Sequence, residues 1–395
     1  MLPGTPFHSR TAILCQGHNW RRWSGYVVAG SYELTHEREY AAVRSSAALF
    51  DVSPLFKYLI SGPDAARLLN RVMTRDVGRC AVGQVMYTPW CDGRGKLIDD
   101  GTVSRLDEQA FRVTSADPNL RWFHENARGM NVSIEDVSAR TAALSLQGPS
   151  SRDILQQMTG DDLGRLKYFR LIQTHLRDIP VTLSRTGYSG DLGYEIWADA
   201  GQAEALWDAL IGAGTPYGLT PAGILALDVA RVEAALLLIE VDYISAHKAL
   251  IEPQKSSPLE LGLGWTVNLD KENFVGRRAL LAEKKRGPAW QFVGLEVEWD
   301  PFERLCSEAG LPPQLPATTS RTSAPLYVDV EQRGYASSRC WSPLLKKYLA
   351  LAHLQAEFAA PGAELMLEVM VEHHRRQTPA RVAQTPFFDP PRKRA

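Results

Sequence analysis

Apolar positions along the chain recur with two periods, two residues in some runs and three to four in others. Phe56-Lys57-Tyr58-Leu59-Ile60 alternates as a strand. Pro63 suits a first helical position, and residues 65–73 continue with apolar residues at helical spacing. Residues 85–90, 96–106 and 110–114 read as successive strands, separated by turn chemistry at Asp92-Gly93-Arg94-Gly95 and Asp107-Glu108. Helices are predicted over 36–48 running into Asp51, over 119–128, from Gly148-Pro149 onward, over 203–211 and over 222–238. A strand is predicted at 142–146, and strands at 181–184 and 194–197 flank a glycine-rich hairpin loop. Residues 1–35 hold Trp20, Trp23 and Tyr26 but little periodicity, which predicts an irregular lead-in packed on the body.

Strands followed by helices, in two similar halves, predict α+β units built on antiparallel sheets. Residues 292–298 and 366–371 alternate as strands of a smaller C-terminal β domain, while 301–325, rich in Pro, Ser and Thr, reads as loop or linker. The boundary is placed near residue 286, giving a region 1–285 and a region 286–395.

With 395 residues, 45% hydrophobic and 23% charged, the chain has the composition of a globular protein with room for two or three cores. A net charge of -1 gives no basic field for nucleic acid. No apolar run approaches the roughly 18–20 residues that span a bilayer, and no basic region followed by an apolar core marks a secretory signal. Neither membrane nor nucleic acid is expected as a partner. Five cysteines, widely spaced and without a CxxC pair, fit reduced thiols in a cytoplasm and argue against a zinc or iron–sulfur site. Nine scattered histidines without HExxH give no metal site either. The Arg392-Lys393-Arg394 run reads as a solvated tail.

The chemistry concentrates in a few segments. In Ser184-Arg185-Thr186-Gly187-Tyr188-Ser189-Gly190-Asp191-Leu192-Gly193-Tyr194-Glu195, three glycines let a loop lie flat against a ligand beside two tyrosines and a carboxylate. A flat heteroaromatic ring with an amino-pyrimidinone edge requires aromatic walls and one carboxylate to accept two N–H bonds. The alternative is a surface hairpin with ordinary turn chemistry. Asp99 and Asp100 end the run after the Gly93–Gly95 turn. Neighbours on a strand point to opposite faces, so only one can face a given pocket. A carboxylate there could stabilise a nearby positive charge and hold a proton; a strand-end acid pair is the plain alternative. Tyr87 on the preceding strand would lie near Asp100 if the strands pair as a hairpin. Arg231 and Glu233 stand on an otherwise apolar helix and must find partners or face a cavity. Trp265 could stack on a flat ring or fill a core.

Arg185-Thr186-Gly187-Tyr188-Ser189-Gly190-Asp191 with Gly193-Tyr194-Glu195 resembles the signature of the aminomethyltransferase (glycine cleavage T-protein) family. In the same order follow or precede Ala42-Val43-Arg44, Leu49-Phe50-Asp51-Val52-Ser53, Gly62-Pro63-Asp64-Ala65, Leu97-Ile98-Asp99-Asp100-Gly101, Leu146-Gln147-Gly148-Pro149, Asp228-Val229-Ala230-Arg231-Val232-Glu233-Ala234, Ser257-Pro258-Leu259-Glu260-Leu261-Gly262-Leu263-Gly264-Trp265 and Phe274-Val275-Gly276-Arg277. The resemblance implies a three-domain clover-leaf: two intertwined α+β folate-binding parts and a C-terminal β-barrel-like domain, with tetrahydrofolate bound between them. It implies Asp100 as the catalytic acid with Asp99 supporting it. It further implies a folate site lined by Tyr87, Ser115, Tyr188, Glu195, Arg231 and Trp265, with Glu195 on the pterin edge.

Departures from the family pattern bear on the donor. Pro54-Leu55-Phe56 replaces the usual His-Met-Gly, Ser115 replaces an asparagine, Asp389 follows Pro386-Phe387-Phe388 where the family is basic, and Leu238 to Tyr243 differs from the usual Gly-containing segment. The expectation is therefore a folate-dependent methyltransferase that demethylates a small S-, N- or O-methylated donor to give 5-methyltetrahydrofolate. The alternatives are an aminomethyltransferase of glycine cleavage, working with a lipoyl carrier protein, and a non-catalytic folate-binding protein.

Overall fold

The apolar residues are shared among three bodies of structure. In the computed structural model, which describes residues 2–395, a six-stranded sheet runs in the order Leu171–Leu176, Ile179–Ser184, Gly193–Asp199, Thr141–Gln147, Ala47–Asp51, Leu219–Pro221. Only the last pairing is parallel. Leu206, Trp207 and Leu210 of the helix Ala203–Gly214 pack with Ile154, Leu155, Tyr194 and Ile196 behind this sheet. Since Tyr194 and Ile196 face that core, Glu195 and Trp197 point to the opposite side.

A five-stranded antiparallel sheet runs Val85–Cys91, Leu97–Asp107, Ala110–Ser115, Phe56–Ser61, Ser133–Asp136. Leu68 and Leu69 of the helix Ala65–Val72 and Phe123 of the helix Leu120–Asn126 cover its back, together with Val103, Phe111 and Val113. The front therefore carries Asp100, Thr102, Arg112 and Thr114. The third body is a closed six-stranded barrel of strands between Trp290 and Ala383, which leaves no unpaired edge.

The structure departs from the pattern-based expectations where tertiary packing overrides periodicity. The segment expected as helix 36–48 is a helix only over Glu37–Ser45, followed by the strand Ala47–Asp51. That strand is apolar on both sides because Ala47 and Leu49 enter one core while Ala48 and Phe50 enter another, which erases the period of two. The helix expected over 222–238 spans Ile224–Glu233. Ala235 then takes a left-handed φ of 52°, and Leu237 packs into a separate cluster. The lead-in contains a hairpin, Trp20–Trp23 with Tyr26–Ala29. The stretch expected as linker opens with the helix Trp299–Glu308, its Phe302 and Cys306 buried. Pro301 falls in the first turn, where no intrahelical N–H is needed.

Candidate functional site

Asp100 projects from the front of the five-stranded sheet, partly buried, with two phenols on its carboxylate. Tyr87 donates to Oδ2 at 2.8 Å and Tyr243 donates to Oδ1. Tyr87 comes from the adjacent strand, in which Pro89 pairs with Asp100. Burial raises the Asp100 carboxyl above the ordinary aspartate value, and the Tyr243 and then the Tyr87 hydroxyl oppose that rise. Burial and the neighbouring carboxylate raise both phenols well above the ordinary tyrosine value, so they stay protonated donors.

Asp99 faces the other way and is fully buried. Its Oδ1 accepts the Asp100 amide at 2.8 Å; its Oδ2 accepts the Asp117 amide at 3.0 Å and the Asn119 side-chain amide at 2.8 Å. Trp90 Nε1 donates to Asn119 at 3.1 Å, which fixes the amide. Burial first, and the Asp100 charge second, push the Asp99 carboxyl up. Asp99 thus sets the backbone that aims Asp100. Ser115, on the neighbouring strand, is buried and donates to the Asp117 carbonyl at 2.7 Å, shaping the same turn.

Glu195 stands on the front of the six-stranded sheet, and its Oε2 accepts the Thr186 hydroxyl at 2.6 Å. Burial raises its carboxyl, against the Thr186 bond and the Arg112 charge. The glycine loop owes its composition partly to packing. A Cβ on Gly187 or Gly193 would stand 2.1 Å from the Gln147 side chain, which lies fully buried beneath the loop and accepts Ser189 Oγ at 2.6 Å. Tyr188 is partly buried beside this loop and donates to the Leu237 carbonyl.

Arg231 is 1% exposed and is committed within the protein. It donates to Asp228 at 2.8 Å, to Asp242, and to Ser338 of the barrel at 2.7 Å. Asp242 also accepts the Leu238 amide at 2.9 Å, Ser337 at 2.6 Å and Ser338 at 2.7 Å. Its backbone carbonyl meets His353 Nε2 at 2.6 Å. This network ties the helix and the barrel to the residue preceding Tyr243. Trp265 is 66% exposed and stacks on Tyr87, ring centroids 6.1 Å apart and planes at 26°, with the Arg75 guanidinium 5.5 Å from its centroid. It covers the tyrosine rather than filling a core.

Tyr87, Asp100 and Trp265 are therefore contiguous, whereas Arg231 and Asp99 act from behind. Sequence reasoning missed Tyr243, Asp242 and Asn119. The signal for the first two was the atypical segment Leu238 to Tyr243; for Asn119 it was an asparagine immediately before a helix. The tail reading is also corrected. Arg392 donates to Asp191 of the glycine loop at 2.6 and 2.8 Å, and Arg185 is buried against the carbonyls of Leu166, Arg392, Lys393 and Ala395. Arg44 joins Asp191 to the buried Glu233, so the tail is docked.

An α+β pair of sheets with a terminal barrel, and a tyrosine-clamped aspartate on one sheet, define the class. Residues 7–271 match the GCVT N-terminal domain and residues 309–389 the glycine cleavage T-protein C-terminal barrel domain. The aminomethyltransferase of Halalkalibacterium halodurans is 35% identical over 371 residues, 93% of this chain and 92% of that protein. That of Symbiobacterium thermophilum is 36% identical over 383 residues, 94% of each. The crystal structure of glycine cleavage system aminomethyltransferase T from Bartonella henselae superposes with a TM-score of 0.83 over 98% of this chain and 99% of that one, at 22% identity, which speaks for the fold alone.

The chain belongs to the glycine cleavage T-protein family and is a tetrahydrofolate-dependent transferase. Two expectations are thereby overturned. Relatives spanning nearly its whole length bear the name aminomethyltransferase, so the departures at Pro54–Phe56, Ser115 and Asp389 do not make it a demethylase yielding 5-methyltetrahydrofolate. A small methylated donor is likewise not its partner. No described helix is long and apolar enough to cross a membrane.

Proposed function

We propose that this protein is an aminomethyltransferase of glycine cleavage, receiving an aminomethyl group from the lipoyl arm of a carrier protein and releasing ammonia and 5,10-methylenetetrahydrofolate. The observation that carries the reading is Asp100, aimed between the sheets and held by two protonated phenols. Tetrahydrofolate supplies the nitrogen nucleophiles that take up the one-carbon unit. The residues present fit it: Glu195 offers carboxylate oxygens to the two N–H groups of the pterin edge, and Tyr188 and Trp265 offer aromatic walls.

Asp100 balances the positive charge of the aminomethyl group and holds a proton next to the reacting nitrogen. Asp99 and Ser115 keep the Asp100 strand end in place. Arg231 is a positioning residue, acting through Asp242 on Tyr243. A reducing compartment such as the cytoplasm accords with five buried cysteines, none of them in a disulfide.

The test is product analysis by mass spectrometry with tetrahydrofolate, with and without an aminomethyl-loaded lipoyl carrier. Methylenetetrahydrofolate and ammonia should form only with the carrier, and Asp100→Asn should slow turnover by about 10²–10⁴-fold. Carrier-independent turnover, or an undiminished rate in Asp100→Asn, refutes the proposal.

A further inference from the structure

Arg112 is a buried charged group on the front face that no sequence motif explains. It stands on the strand Ala110–Ser115, beside the strand of Asp100, and is 6% exposed. Its Nε and Nη2 are buried without a hydrogen-bond partner. Such groups are costly in a folded protein unless water or a ligand supplies the missing partner. The guanidinium carbon lies 4.2 Å from the centroid of Trp197, two residues from Glu195 on the same face of the facing sheet. Arg112 and Trp197 together also line an open cleft of about 450 Å³ toward the Asp199 end of the strand, with Thr182, Thr141, Arg140 and His175 around them; Glu195 lies outside that cleft, on the inner side of Trp197. Burial lowers the Arg112 guanidinium to about 10, against the pull of Glu195; the same pair appears in reverse at Glu195.

An amino-pyrimidinone edge presents two donors, the 2-amino and N3–H groups, followed by one acceptor, the 4-oxo oxygen. Glu195 answers the two donors and leaves the acceptor without a counterpart. We propose that Arg112 is the third element of this recognition, donating to the 4-oxo oxygen of the pterin while Glu195 accepts from its other two positions. Trp197 holds the guanidinium plane, and the unpartnered N–H groups are satisfied when the ring enters. Arg112 then makes the site selective for 4-oxo over 4-amino pteridines. This rests on the pterin-edge reading of Glu195.

The experiment is equilibrium binding by calorimetry of folic acid and its 4-amino analogue aminopterin to the full-length wild type, Arg112→Leu, Arg112→Lys and Glu195→Gln, with thermal melts of each. Arg112→Leu should weaken folic acid by about 10- to 100-fold and leave aminopterin nearly unchanged, with Arg112→Lys in between. Equal loss for both ligands, or loss for neither, in a variant that melts normally overturns the assignment. Should Arg112→Leu fail to fold, the same comparison on Arg112→Lys decides it: selective loss of folic acid supports the proposal and an unchanged ratio overturns it. An unchanged folic acid affinity in Glu195→Gln removes the underlying reading and the proposal with it. A weakened Glu195→Gln beside an unaltered ligand ratio at Arg112 overturns only the part assigned to Arg112.

Discussion

Removing the Tyr243 hydroxyl isolates one half of the donor pair on Asp100. In Tyr243→Phe the ring keeps its place among Leu97, Leu237, Leu261 and Leu263, so packing is preserved while the carboxylate retains only the Tyr87 bond. A hydrogen bond to an ionised group is worth about 1.5–3 kcal/mol net, and each 1.36 kcal/mol is a tenfold change in a protonation equilibrium. The balance between ionised and neutral Asp100 therefore tilts toward the neutral acid by about 10- to 100-fold.

Burial already places this carboxyl above the ordinary value, with Tyr243 the stronger of the two opposing donors. Losing it drives the folded value further up. If the ionised form is the active one, the acid limb of kcat/KM moves to higher pH, activity on that limb falls by the same factor, and the alkaline plateau changes little. The sign for stability agrees. An acid raised on folding leaves stability intact below its unfolded value and erodes it as pH rises through the folded value, and Tyr243→Phe widens that window. The assay is kcat/KM for carrier-dependent aminomethyl transfer against pH, with Tyr87→Phe as a second variant expected to move the limb less. A profile lowered uniformly at all pH values, or a limb that stays put, would refute the reasoning.

Two further outcomes follow from packing. Gly193→Ala should destabilise the protein by about 1–3 kcal/mol, since its methyl meets the buried Gln147 side chain at 2.1 Å; chemical denaturation checks this, and Gln147→Ala in the same chain should recover part of the loss. Asp242→Asn should cost about 3–5 kcal/mol in urea unfolding because Arg231 loses a buried countercharge, and the misplaced Tyr243 should lower kcat more than it changes KM.

Legibility varied with how local each determinant is. The Asp92-Gly93-Arg94-Gly95 turn and the two strand-like runs around it announce a hairpin, and that hairpin is what brings Tyr87 to Asp100. The strand Ala47–Asp51 was unreadable because it is buried on both faces, and an apolar run without alternation mimics a helix. The glycines of the loop were legible as permissive residues. That two of them make room for Gln147 was not, because Gln147 is some forty residues away in sequence.

By itself the sequence determined the α+β class, a C-terminal β domain, the family and the acid pair, since these rest on local periodicity, turn residues and motif order; that the β domain closes as a barrel was implied by the family resemblance alone. Only the tertiary structure decided which acid faces the front, that Tyr243 and not only Tyr87 holds it, that Arg231 is spent on Asp228 and Asp242, and that Arg112 is left without a partner. The physical reason is that burial and hydrogen-bond satisfaction belong to groups brought together from distant segments. A strand's period of two says that neighbours diverge, but only the packed core behind the sheet says which neighbour it claims.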